Sequence, residues 1–224
     1  MTPSASKWGY GGAYLRHPIQ EGQTAVFDDG SRVRVHDIFN PLPPWMHRAD
    51  VVFVDPPWNL GNIRSFYTKA EKSLDIETFG QFYSRLFECI GEILPRICYV
   101  EVGKEFLPDF ITAMRPLYRS VTFYNSSYYH KRENMCYVIR GAKKYQKLPL
   151  DYMDEEDIIN WIGANEEYSC LGDLCIGRGL AAMAAARNGK RFVGTELNPK
   201  RLSVLLERIT KLGRTYKILQ GGEG

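Results

Sequence analysis

The spacing of hydrophobic and polar positions changes repeatedly along the chain, and each change predicts an element. In "TAVFDDGSRVRVHDIF" residues of β type flank Asp28-Asp29-Gly30, which predicts a hairpin feeding a strand from about Arg32 to His36 that ends at Asp37. "ADVVFVDPPW" carries a continuous apolar run, Val51 to Val54, instead of an alternation, as expected where helices cover both faces of a parallel sheet. That strand also ends in an acid. From Ile76 to Leu94 apolar residues recur at helical spacing until Pro95 interrupts them. "RICYVEVG" reads as a strand, "KEFLPDFITAMRPL" as a shorter helix, and "YRSVTFYN" and "NMCYVIRG" as two strands joined by the loop "SSYYHKRE". "MDEEDIINWIGAN" reads as a helix whose acids crowd its start, where the dipole favours them. Strand-like "SCLGDLCIG", helical "RGLAAMAAARNG", strand-like "KRFVGTEL" and the helix "PKRLSVLLERITKLG", with Pro199 in its first turn, complete the series. The opening "MTPSASKWGYGGAY" reads as a mobile arm, although Trp8, Tyr10 and Tyr14 are unusual in a tail.

Alternating strands and helices predict an α/β fold with a mostly parallel sheet and one antiparallel hairpin. Residues 1–30 form an arm and hairpin, and 31–224 a single domain. Within it the stretch "GAKKYQKLPLDY" separates 31–147 from 148–224. A length of 224 residues suits one unit with a full core. No apolar run is long enough to span a bilayer and no signal-peptide pattern stands at the start, so a soluble, intracellular protein is expected, with no membrane partner. The five cysteines are scattered without a CxxC pair, which predicts reduced thiols and no metal site. The net charge of +3 excludes little; any case for a polyanionic partner rests on where the charges lie.

Open parallel sheets bind ligands at the carboxyl ends of their strands. Here those ends carry Asp37, Asp55 to Trp58, Asp173 to Gly179, and Glu196. In "LGDLCIGRGLAAMAAARNG" a strand passes through Gly177-Arg178-Gly179 into an alanine-rich helix, so backbone can approach a ligand beside a helix N-terminus. A GxG alone is equally a tight turn. The next strand, however, ends in Glu196, roughly where dinucleotide-type folds place an acid for ribose hydroxyls. Asp173, just before the loop, would repel a pyrophosphate and suits a cationic, amino-bearing ligand better. S-adenosylmethionine has a sulfonium, an amine, a ribose and an adenine.

The tetrapeptide Asp55-Pro56-Pro57-Trp58 stops its strand, because proline donates no ladder hydrogen bond and Pro56 holds Asp55 extended. The Asp55 carboxylate and the Pro56 carbonyl are then two fixed acceptors, which match the two hydrogens of an exocyclic amino group; Trp58 offers a ring for stacking.

"DPPW" resembles the D/N/S-P-P-Y/F/W signature of the amino methyltransferases that act on adenine N6 or cytosine N4, and "GDLCIGRGL...GTELNPKRL" is similar to their S-adenosylmethionine-binding segment. The signature precedes the cofactor loop, so the chain looks like the circularly permuted group with a Rossmann-like class I methyltransferase sheet. Its third strand would be "RVRVHD", its fourth Val51 to Val54 and its second "KRFVGTELNP", whose helix would close the chain. The resemblance spans roughly Arg32 to Leu212. It implies that Asp55 and Pro56 accept the amino hydrogens and that Trp58 stacks, with Pro57 between them in the same catalytic motif. Asp173, Leu174, Cys175, Gly177, Arg178 and Gly179 would line the methionine end of the cofactor. Glu196, with Leu197 and Asn198, would hold its ribose, and Asp37, with Ile38, its adenine. The family usually reads DPFxGSGT at the loop; this chain has Leu174, Cys175, Arg178 and Leu180 at four of those places.

Between Asn125 and Lys147 six Lys or Arg (Lys131, Arg132, Arg140, Lys143, Lys144, Lys147) face one acid, Glu133. With Tyr128, Tyr129 and His130 this mixture is of the kind that grips a nucleic-acid strand, and equally that of a solvated hairpin; Lys69 and Lys72 could assist. DNA adenine is the expected target, RNA adenine the second and DNA cytosine N4 the third. A homodimer or a partner subunit could supply sequence selectivity, since no inserted recognition block is evident. A different class is an idle methyltransferase-like subunit that only binds nucleic acid. The hydroxyl absent at Leu180 takes away one contact to the cofactor carboxylate that the resemblance would supply, and Arg178 is the expected replacement. Arg178→Ala is therefore expected to weaken S-adenosylmethionine binding measurably in calorimetry, and unchanged binding would refute the substitution of roles.

Overall fold

In the computed structural model, which describes residues 10–221, the sheet is built around two buried strands. β3 (Val51–Val54) and β4 (Ile97–Val102) are buried at every position. Their side chains alternate between two apolar layers. Val51 and Phe53 join one, with Ile97 and Tyr99; Val52 and Val54 join the other, with Cys98 and Val100. The first layer is closed by α5 (Glu155–Asn165), α6 (Leu180–Arg187) and α7 (Pro199–Thr210). The second is closed by α2 (Leu60–Lys69), α3 (Phe79–Ile93) and α4 (Leu107–Met114). Burying each such Val, Ile or Phe is worth about 1.5–3 kcal/mol, so the two layers hold the sheet from both sides.

The remaining strands are β1 (Thr24–Phe27), β2 (Arg32–Val35), β5 (Ser120–Tyr128), β6 (Lys131–Ala142), β7 (Met153–Asp154), β8 (Cys170–Asp173), β9 (Arg191–Glu196) and β10 (Tyr216–Leu219). They lie in the order β10-β1-β2-β9-β8-β3-β4-β6-β5-β7. From β2 to β4 every pairing is parallel, and antiparallel strands flank this centre on both sides. The fold is a mixed α/β sheet of Rossmann-like type with the β5–β6 hairpin beside β4. Among the described residues no helix is long and apolar enough to cross a membrane.

Several local expectations need correction. The helix after Trp58 was not legible as an element: Leu60–Lys69 is helical, started by Asn59, whose side chain accepts the N–H of Asn62. The chain does not close on the helix after Glu196, because β10 follows α7 and pairs antiparallel with the edge strand β1. Trp8 lies outside the described residues. From Tyr10 onward the expected mobile arm is tied down: α1 (Ala13–Arg16) lies on α7, Arg16 pairs with Glu207 at 2.6 Å, and the Tyr10 hydroxyl accepts from Asn198 Nδ2. The expected loop between the hairpin strands shrinks to Tyr129 and His130, both with positive φ, as a two-residue turn of the twisted type demands.

The loop before α6 depends on close approach. Gly179 caps that helix with φ of 80°, and a Cβ there would meet Leu205 Cδ1 of α7 at 2.2 Å. A left-handed non-glycine residue costs about 1–2 kcal/mol and overpacking about 1–3 kcal/mol. Gly179→Ala is expected to lower unfolding free energy by roughly 2–5 kcal/mol in urea titrations.

Candidate active site

The parallel register brings the strand ends into one crevice of about 730 Å³. Asp55, Pro56, Pro57 and Trp58 line it from the end of β3, and Asp173, Leu174, Cys175, Gly177 and Arg178 from the end of β8. Glu196 and Leu197 contribute from β9, and His36 and Ile38 from β2. The tetrapeptide and the glycine loop thus share a single cavity.

Trp58 is fixed between two neighbours. A Cβ on Gly103, just after β4, would stand 3.0 Å from its Cε3, so the indole packs tightly against the glycine there. On another side the Tyr128 ring meets it edge-on at 5.5 Å. Asp55 is accessible, but the surface it exposes is crevice wall, crowded by protein. Burial raises its pKa to about 6 against two opposing influences, the charge of Arg201 and the neighbouring Trp58 indole. The Nε1–H of that indole has no partner of good hydrogen-bonding geometry, so its influence is the weaker.

Glu196 is anchored rather than free. Its Oε2 accepts the Gly177 N–H at 2.8 Å and its Oε1 accepts the Asn198 N–H at 2.8 Å. The carboxylate is nearly buried at one wall of the crevice with lone pairs left over. Asp173 accepts the Cys175 N–H at 2.9 Å, and burial, followed by the charges of Asp55 and Glu196, pushes its pKa well up. Asn198 is N-cap of α7, accepting from the Lys200 N–H and donating through Nδ2 to Tyr10 and to the Lys69 carbonyl. Neither Asn198 nor Gly179 lines the crevice; both shape it from behind.

Asp37 is also absent from the walls. Its Oδ1 accepts from the Tyr67 hydroxyl at 2.7 Å and from the Phe39 N–H. The neighbouring His36 lines the crevice instead, with a buried Nε2 that has no partner. Burial lowers its pKa to about 4, so the imidazole is neutral at pH 7 and can donate or accept.

The expected basic hairpin divides. Lys131 and Arg132 are exposed beside the turn, and Tyr128 and Tyr129 overhang the crevice. Lys143, Lys144 and Lys147 are exposed at the opposite end of β6, roughly 36 Å along the strand. That end pairs with the start of β4, away from the crevice. Arg140 belongs to neither group: it is 3% exposed, donates from Nε to the Tyr99 hydroxyl and lies 3.6 Å from Glu166. Lys69 lines the crevice mouth, whereas Lys72 pairs with Glu21. The N–H of His130 donates to Asp154 Oδ2 at 2.7 Å, which fastens the hairpin tip to the start of α5.

Residues that sequence reasoning missed complete the site. Arg201 of α7 lines it, stacked over Phe66 at 5.1 Å. Glu101 and Glu155 face Asp55, and the carboxylate oxygens of these three residues lie within 4.8 Å of one another. Burial, with Asp55 next, raises Glu155 to about 8.

No family profile and no curated protein matches the chain. Solved structures do. TTHA0409 of Thermus thermophilus, provisionally assigned as a DNA modification methylase and solved with S-adenosyl-L-methionine, is 17% identical over 80% of this chain and 93% of its own, with a TM-score of 0.56. The M1.HpyAVI–SAM complex is 12% identical over 79% and 98%, with a TM-score of 0.54. The fold is a methyltransferase fold. The cytosine-N4-specific PvuII DNA methyltransferase shares it at 11% identity over 80% and 90%, with a TM-score of 0.53.

Arg201 lowers the Asp55 pKa, so removing its charge leaves burial opposed only by the weaker influence of the Trp58 indole. In Arg201→Ala the Asp55 carboxyl is expected to titrate above its wild-type value of about 6, read from its carbon-13 shift against pH. An unmoved titration would show that Arg201 does not reach Asp55.

Proposed function

We propose that the protein is an S-adenosylmethionine-dependent methyltransferase that modifies the exocyclic N6 amino group of adenine in DNA, with its motifs in circularly permuted order. The observation that carries this reading is the shared crevice: Asp55-Pro56-Pro57-Trp58 and the Gly177–Glu196 pair line the same cavity. Its volume falls in the upper part of the roughly 300–1,000 Å³ usual for small-molecule sites. Neighbours of the same fold carry S-adenosylmethionine.

The residues present fit that cofactor. Glu196 offers anchored lone pairs for ribose hydroxyls. The unpartnered Nε2 of His36 suits the adenine end better than Asp37, which Tyr67 occupies. The acid-rich floor suits a sulfonium and an ammonium, and Arg178 and Arg201 offer charge to a carboxylate. When bound, the cofactor supplies an electrophilic methyl group.

The chain's own work is positioning. An aryl amine is a poor nucleophile because its lone pair is delocalised into the ring. Asp55, accepting one amino hydrogen, and the Pro56 carbonyl, accepting the other, would localise that pair and stabilise positive charge growing on nitrogen. Ionised Asp55 is needed, and with a pKa of about 6 it is mostly ionised at pH 7 yet close enough to take up the proton the amine sheds. Trp58, held by Gly103 and Tyr128, would stack on the base. A paired base cannot present its amino group here, so the target is flipped out or already unpaired. Lys131 and Arg132, exposed at the hairpin tip, and Lys69 at the mouth would meet the flanking backbone.

Cytosine N4 is the second reading, supported by the likeness in fold to the cytosine-N4-specific PvuII enzyme. Methyl transfer from labelled cofactor to duplex DNA, single-stranded DNA and RNA, followed by nucleoside analysis, separates the targets. N6-methyladenine in DNA is expected, with Asp55→Ala slower by about 10²–10³-fold, the loss usual for one preorganised hydrogen bond at a reacting centre. Full activity in Asp55→Ala, or binding of nucleic acid without any transfer, would overturn the reading.

A further inference from the structure

Glu101 is an anomaly in β4, a strand otherwise apolar and wholly buried. It is 2% exposed, and its Oε2 has no hydrogen-bond partner. Yet it lines the crevice beside Asp55, Pro56 and Trp58. Burying a carboxyl oxygen without a partner is costly, and so is holding three negative charges within 4.8 Å of one another. Both costs fall if Glu101, the most enclosed of the three, keeps its proton and a ligand atom accepts it.

A protonated carboxyl gains an O–H donor. Beside the exocyclic amino group of adenine or cytosine stands a bare ring nitrogen, N1 or N3 respectively, which is an acceptor. We infer that Glu101 reads the target base: while Asp55 accepts a hydrogen from the amino group, the Glu101 carboxyl donates to the neighbouring ring nitrogen. This assignment rests on the methyltransferase reading and adds the determinant of base specificity to it. Uracil and thymine present a ring N–H beside a carbonyl, the reverse pattern at both atoms.

The groups facing Glu101 agree with it. Burial raises its pKa, and Asp55, Glu155 and Asp154 raise it further, while the Cys136 thiol of β6 acts in the opposite sense. Tyr128 of β5 feels the charges of both Glu101 and Asp55, and the charge of Arg201 bears on Asp55.

The experiment compares natural oligonucleotides with ones carrying 1-deazaadenine, or 3-deazacytosine if nucleoside analysis identifies cytosine. Wild type is expected to lose at least about tenfold in kcat/KM on the deaza base, as for one hydrogen bond inside a protein. Glu101→Gln, whose amide still donates, should keep that discrimination; Glu101→Leu should lose it. In wild type the discrimination should fade as alkaline pH ionises Glu101, and in Glu101→Gln it should not. The carbon-13 shift of the Glu101 carboxyl, assigned by its loss in Glu101→Gln, should show a neutral group at pH 7. Equal discrimination by wild type and Glu101→Leu, or an ionised Glu101 at pH 7, would overturn the inference while methyl transfer continued. A saturable shift of that signal by magnesium or calcium chloride would overturn it in favour of a cation site. Absence of transfer to any nucleic acid would remove the function and this inference together.

Discussion

The parallel register of five adjacent strands, β2, β9, β8, β3 and β4, is the constraint on which the rest depends. Pairing Val35 with Glu196 and Val54 with Val100 aligns the strands so that they run out along one edge of the sheet. Whatever polar residue follows each strand is therefore delivered to the same place. Asp55, Asp173, Glu196 and His36 are distant in the chain and share a crevice for this reason alone. Two apolar layers hold the register, since a slip of one residue would turn Val52 and Val54 away from the helices that cover them.

The same convergence sets the electrostatics. Asp55, Glu101, Glu155 and Asp173 all have pKa values raised first by burial. A carboxyl whose folded pKa exceeds its unfolded one stabilises the fold fully at acid pH and loses that contribution as pH rises through the folded value. For Glu155 the window runs from the ordinary carboxyl range to about 8. The site is thus held in some electrostatic discomfort near neutrality, which a cationic ligand would relieve. Perturbation of this kind clusters where chemistry is done.

What could be read from the sequence followed from how local each signal is. The apolar run before Asp55, the glycine turn before α6 and the acid closing β9 are properties of neighbouring residues, and each stands where the pattern put it. The helix after Trp58 was missed because its apolar face is narrow, with only Ile63 and Tyr67 buried. Arg140 looks like a surface cation in sequence; only the tertiary pairing with Tyr99 and Glu166 shows it to be interior. The acids at the start of α5 read as dipole partners, which Asp154 is through its cap, whereas Glu155 faces Asp55 across the crevice. Glu101 did leave a trace, as a lone acid inside "CYVEVG", but its meaning required knowing that both faces of that strand are covered.

The hairpin tip carries a mechanical consequence. Asp154 holds the His130 N–H with one oxygen and, with the other, caps α5 through the Glu156 N–H. One side chain therefore latches the overhanging turn and starts the helix that bears Glu155. Lifting the turn pulls on the anchor of that first helical turn, whose cap is worth about 0.5–2 kcal/mol. A ligand prying at Tyr129 would be felt on the crevice floor, through the Asp154 carboxylate acting as a hinge pin beside the short β5–β7 ladder.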